Sequence, residues 1–195
     1  SGANTYTGTT DVTSGVLSVN GSLSDATAVS VSEGATYEVR ADDAVGSIAG
    51  EGSIDLGEHQ LTAGGSGTDT TFGGVISGTG GLTKIGGGTL TFSGANTYTG
   101  TTDVTSGVLS VSGSLSDGTA VIVGDAGVYE VGADDTVGSI DGSGAIKLGS
   151  STLSVGGDNS SEDFSGVVSG SGGLVKQGEG TLTLSGANTY TGTTN

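Results

Sequence analysis

The sequence predicts an all-β protein, a β-solenoid of roughly eight coils stacked one upon the next. Three observations carry this: a long internal repeat, apolar-x-apolar triplets recurring at short intervals, and glycine at 42 of 195 positions. Pro, Cys, Met and Trp are absent, and aromatic residues make up only 4% of the chain. A chain so rich in Gly would be disordered if the rest were polar and patternless. The apolar triplets make it a folded β protein with many tight turns instead.

The repeat fixes the organisation. The segment Ser1–Val19, SGANTYTGTTDVTSGVLSV, recurs unchanged at Ser93–Val111 and opens a third time at Ser185–Thr194, each copy 92 residues after the last. Residues 1–92 are expected to form unit one, 93–184 unit two, and 185–195 the start of a third, all in one continuous solenoid expected to be a fragment of a longer chain. The two full units align without a gap. Apolar positions persist, as at Val29 and Val121, Tyr37 and Tyr129, Ile54 and Ile146, and Phe72 and Phe164. Polar stretches vary, as in SGTDTT at 66–71 against DNSSED at 158–163. An inner face held by packing and outer turns free to change would leave that record.

Within a unit, Leu17/Val19, Val29/Val31, Tyr37/Val39, Ile54/Leu56 and Leu90/Phe92 alternate with polar neighbours. Alternation of period two over three to five residues marks very short strands with one buried face. The intervening Gly, Asn, Asp and Ser supply corners, where positive φ is needed. Coils of about 20–25 residues stacked at the ~4.8 Å strand spacing put about four coils in a unit. The competing architecture, a string of immunoglobulin-like sandwiches of similar length, needs longer strands and usually a buried aromatic core residue.

Charge excludes whole classes of partner. Four basic residues (Arg40, Lys84, Lys147, Lys176) face 21 acidic ones, for a formal charge of −17. Nucleic acid and anionic lipid surfaces are repelled by such a chain. No apolar run reaches the length of a transmembrane helix, so the segment itself is not expected to be membrane-inserted. Without Cys there are no disulfides, thiolate metal sites or Cys nucleophiles.

Four patterns have the residue types for chemistry, and none is expected to be a catalytic, cofactor-binding or metal site. Gly64-Gly65-Ser66-Gly67-Thr68-Asp69 matches the start of the calcium-binding nonapeptide of β-rolls. It lacks the following large apolar residue, stands alone, and is broken in the other unit at Gly156-Gly157-Asp158-Asn159, so an ordinary turn is expected. Asp42-Asp43 and Asp134-Asp135 are adjacent carboxylates that could bind a hard cation or move protons; a turn that solvates both is expected. Arg40 and His59 each occur once, with Gly132 and Ser151 as their counterparts, and are read as surface residues. Thr-rich stretches such as Thr5-Tyr6-Thr7 could order water against ice, but the coils at 28–56 lack the pattern. Thr is expected as a strand former with a solvated hydroxyl.

The stretch Gly80-Gly81-Leu82-Thr83-Lys84-Ile85-Gly86-Gly87-Gly88-Thr89-Leu90-Thr91-Phe92, continuing through Ser93-Gly94-Ala95-Asn96-Thr97-Tyr98-Thr99-Gly100 to Val111, resembles the autotransporter-associated β-strand repeat. Gly172–Gly192 repeats it and the N-terminus carries its second half. The resemblance implies a right-handed parallel β-helix in the passenger region of a Gram-negative surface protein exported across the outer membrane. It implies a structural or adhesive stalk segment, not an enzyme, acting as a rigid spacer or a repetitive binding surface. Partners are then a host cell, a polysaccharide, or another copy meeting end to end. The alternatives are a polysaccharide-binding or polysaccharide-cleaving β-helix and a calcium-stabilised or ice-binding solenoid.

Overall fold

The computed structural model describes residues 2–195; Ser1, the first residue of unit one, lies outside the described residues. The described residues form 22 β-strands and no helix, so none is long and apolar enough to cross a membrane as a helix. All strand pairs are parallel, with partners 17 to 22 residues apart, and the chain winds as a β-solenoid of about nine turns. The turns lie at the lower end of the 20–25 residues expected, and some fall below it. Corners that close on one or two glycines need fewer residues than the sequence spacing implied.

Three faces can be followed through the strand register. The first carries Thr10–Val12, Ala28–Val31, Ser47–Gly50, Thr70–Phe72 and Thr89–Phe92. It continues through residues 108–111 and 128–131 to Ala145–Lys147 and Val167–Ser169. The second begins with Gly15–Val19, Ala35–Val39, Ser53–Asp55 and Val75–Ser77. It passes through the corners at Asn96 and Ser114 and ends in Asp135–Val137, Leu153–Val155 and Leu174–Lys176. The third runs from Asp43–Val45, Leu61–Ala63 and Leu82–Lys84 through residues 102–104 and 121–123 to Ser139–Gly142, Glu162–Phe164 and Leu182–Leu184. Two longer strands, Thr102–Val111 and Ala120–Val131, bend from the third face onto the first, with a register shift between Val104 and Ser106.

Alternation places one side of every strand inside. Val31, Tyr37, Ile54, Phe72, Phe92, Tyr98, Val111, Tyr129 and Phe164 belong to one continuous buried column. Phe72 and Phe92 are register partners, so their rings lie one above the other along the axis. Each coil stacks on its neighbours, as in other solenoids. Glycine matters most where the backbone turns inward at close range. Gly50 has φ of 111°, and a Cβ there would sit 2.1 Å from the Val31 carbonyl oxygen.

Repeat and coil do not keep step. On the first face Val12, Val31, Gly50, Phe72, Phe92 and Val111 are successive rungs, five turns in all. The repeat-equivalent of Val12 is Val104, which lies on the third face, one face before Val111. A unit of 92 residues is therefore five turns less one face, or four and two-thirds turns, where about four had been expected.

Candidate functional site

The paired aspartates part company. Asp43 opens the strand Asp43–Val45, whose in-out-in pattern gives it the same inward parity as Val45, and it is only 4% exposed. Its Oδ1 accepts from the amides of Leu23 and Ala44, both at 2.9 Å, and its Oδ2 accepts from the Tyr37 hydroxyl at 2.6 Å. Asp135 repeats this in unit two, with the Leu115 amide at 3.2 Å and the Tyr129 hydroxyl at 3.3 Å. Burial pushes the Asp135 carboxyl up to about 6. The hydrogen bonds from Leu115, Thr136 and Tyr129 pull against that shift, and nearby Asp117 adds to it. The expected solvated turn holds only for Asp42 and Asp134. These remain exposed and accept from the amides of Gln60 at 2.9 Å and Thr152 at 2.7 Å on the next coil. A buried carboxylate is tolerated because its oxygens are matched by donors.

The tyrosines of these pairs are held neutral. Burial raises the Tyr37 hydroxyl far above its ordinary value, and its bond to Asp43 adds to the shift. Tyr129 is raised in the same direction, first by burial and then by the Asp135 charge. Each therefore remains a hydrogen-bond donor and cannot serve as a base near neutral pH.

The other patterns resolve into backbone support. In the Gly64–Asp69 stretch the Gly67 amide bonds to the Gly64 carbonyl, and Asp69 Oδ1 accepts from the Thr89 amide at 2.7 Å on the next coil. Asn159 replaces Gly67 in unit two with φ of 62°, a conformation Asn tolerates. Among the described residues no three His, Cys, Asp or Glu side chains are grouped to hold a metal ion. Arg40 pairs with Glu38 at 3.0 Å and with Asp55 at 3.8 Å on the surface, and His59 lies 3.7 Å from Asp42. Thr27, Thr102 and Thr119 are buried, against the solvated role expected of Thr. Thr102 meets the Tyr98 hydroxyl at 2.5 Å, and Thr119 Oγ1 donates to the Tyr98 carbonyl at 2.8 Å.

Two residues of the recurrent motif carry more than their type indicated. Asn96 is buried at a corner. Its Oδ1 accepts from the Ile76 amide at 3.0 Å while its Nδ2 donates to the carbonyls of Gly94 and Ser114, so one side chain ties three coils. Lys84 is 1% exposed, and its ammonium donates to the carbonyls of Ile85, Gly86 and Ser106 at 2.8, 3.0 and 3.2 Å. Burial lowers its pKa, with the charge of Asp69 opposing. The spacing from Leu82 to Lys84, two residues along one strand, was the signal for an inward lysine.

Each unit also carries one shallow open cleft in the same place. It is lined by Asp25, Asp42 and Gln60 in unit one and by Asp117, Asp134 and Thr152 in unit two. Arg40 and His59, the unique bases, line neither cleft.

Fold and side chains define a parallel β-solenoid repeat protein whose polar motif residues lock coil to coil. Residues 1–19, 82–111 and 174–195 match the passenger-associated-transport-repeat family. Those three segments are similar to that repeat and together make up about a third of the chain. Over 87 residues, 45% of this chain, it is 38% identical to a protein described as "Adhesin BmaC autotransporter" from Brucella suis biovar 1 (strain 1330). The matched stretch is 2% of that relative's length. No solved structure matches the chain.

Proposed function

We propose that the chain is a stalk segment of an exported bacterial surface passenger, with the 92-residue unit as its building module. It acts as a stiff spacer and as a repeated outer surface, and it carries out no catalysis. The observation that carries this reading is the use made of the candidate acid and motif side chains. Asp42, Asp43, Asp69, Asn96 and Lys84 all bond to backbone of their own or the neighbouring coil. The adhesin relative supports a surface setting in which a host cell, a polysaccharide or another copy is the partner.

Small-angle X-ray scattering of the chain, in millimolar calcium and in chelator, tests the spacer. The expected particle is a rod about 43 Å long, nine spacings of ~4.8 Å, unchanged by calcium. Compaction by calcium, or two beads joined by a flexible waist, would overturn it.

The recurring cleft favours a second reading, a polysaccharide-binding surface, because carboxylates beside hydroxyl and amide groups suit sugar hydroxyls. Glycan-array binding by the wild-type chain, abolished by Asp42→Asn with Asp134→Asn, would support that reading over the bare spacer.

A further inference from the structure

The three copies of one asparagine stand on three different faces. Asn4 donates its amide to the Ser22 carbonyl at 2.9 Å, at the head of the third face. Asn96 accepts from the Ile76 amide at 3.0 Å on the second face. Asn188 accepts from the Val168 amide at 2.8 Å on the first. All three occupy the same place in the repeat, 92 residues apart. The cause is the mismatch between a unit of 92 residues and coils of 17 to 22. Five turns overshoot the unit by one face, so each unit is rotated by a third of a turn against the one before.

We propose that the repeat is a three-faced display: a surface patch encoded once per unit is presented on each face in turn. It returns to its first face after three units and fourteen turns, about 67 Å of axis at ~4.8 Å per turn. The Asp25–Asp42–Gln60 cleft and its Asp117–Asp134–Thr152 counterpart are the patch displayed in this way. A stalk built so can be engaged from any side. A flat partner lying along one face meets the same patch once in about 67 Å, whereas units stacked in phase would offer it about every 22 Å.

This proposal rests on the reading of the outer surface as repetitive. Its test reads geometry alone, so a failure to bind any glycan would sink that reading without touching the array. The chain has no Cys, which permits paired spin labels. Ser30 and Ile122 are repeat-equivalent. Ser30 and Glu130 share one column through Ala49, Thr71, Thr91 and Ser110, five turns apart. Labels at Ser30→Cys with Glu130→Cys should be about 24 Å apart, and at Ser30→Cys with Ile122→Cys about 30 Å, given the ~4.8 Å rise and a core about 10 Å thick. The pair closer in sequence is thus the farther in space. Asp11, Asp103 and Ser110 provide a second set with the same expected order should the first set not fold. An equivalent pair as short as, or shorter than, the same-column pair would overturn the proposal.

Discussion

The Lys84 ammonium donates to the Ser106 carbonyl at 3.2 Å, joining the last coils of unit one to the first of unit two. Its counterpart Lys176 likewise bonds to the carbonyls of Gln177 and Gly178. Both lysines sit in the segments that match the passenger repeat. Removing Lys84 leaves three carbonyls without this donor and a void beside Gly107. Lys84→Ala should cost about 3 kcal/mol, and Lys84→Met, which restores volume but not the donor, about 1–2 kcal/mol. Urea denaturation followed by circular dichroism measures both; equal midpoints for wild type and Lys84→Ala would refute the junction role.

The buried carboxylate sets a pH dependence. Asp135 has a folded pKa of about 6 against an ordinary value of 3.8. Between those values the folded chain holds a proton that the unfolded chain releases, so folding is favoured by acid. Stability should rise as pH falls from 7 to about 4 and should be lower, and flat, above the folded value. The groups around it are Tyr129, Tyr98 and Asp117, with no cation among them. Relief of the −17 charge acts in the same direction. Melting temperatures at pH 5 and pH 7.5 measure the effect, and Asp135→Asn should flatten part of it. A variant with the full wild-type pH slope would rule out Asp135 as a source.

Corner glycines should separate by their surroundings. Gly50→Val meets the Val31 carbonyl in a left-handed backbone and should cost more than ~3 kcal/mol. Gly8→Ala faces open space with no positive φ and should be neutral within ~0.5 kcal/mol. Comparable losses at both positions would contradict this account of the corners.

One decapeptide appears three times in unlike settings. Tyr98 is fully buried and its amide donates to the Ile76 carbonyl, whereas Tyr6 is 46% exposed. Hydrogen exchange should be slow at Thr97 and Tyr98 and fast at Thr5 and Tyr6. The exposed end coils should also draw chains together end to end at high concentration, seen as mass growth in sedimentation. A monomer at all concentrations with equally protected Tyr6 and Tyr98 amides would contradict both expectations.

The solenoid was legible because its signal is apolar and periodic. Val29/Val31, Tyr37/Val39, Ile54/Leu56 and Leu90/Phe92 all point inward as their alternation required. The inward placement of Asp43 and Lys84 is not legible from residue type, which favours solvent, but only from strand parity. Both share an inward register with an apolar neighbour two residues away, Val45 and Leu82. Their cost is met by amides, hydroxyls and carbonyls from other coils, which no local pattern reveals. The rotation of Val104 relative to Val12 was hidden for a related reason. Sequence fixes the length of the unit, but coil length depends on how tightly glycine corners close.

The chain is a mechanical stack in which each coil is held chiefly by its neighbours. Pulling the two ends of the chain apart in an optical trap tests it most directly. The account predicts unravelling from an end, in steps that release about one coil of ~20 residues or small multiples of it. A single rip that releases a whole 92-residue unit at once would contradict it, because that is how an independent globular domain comes apart.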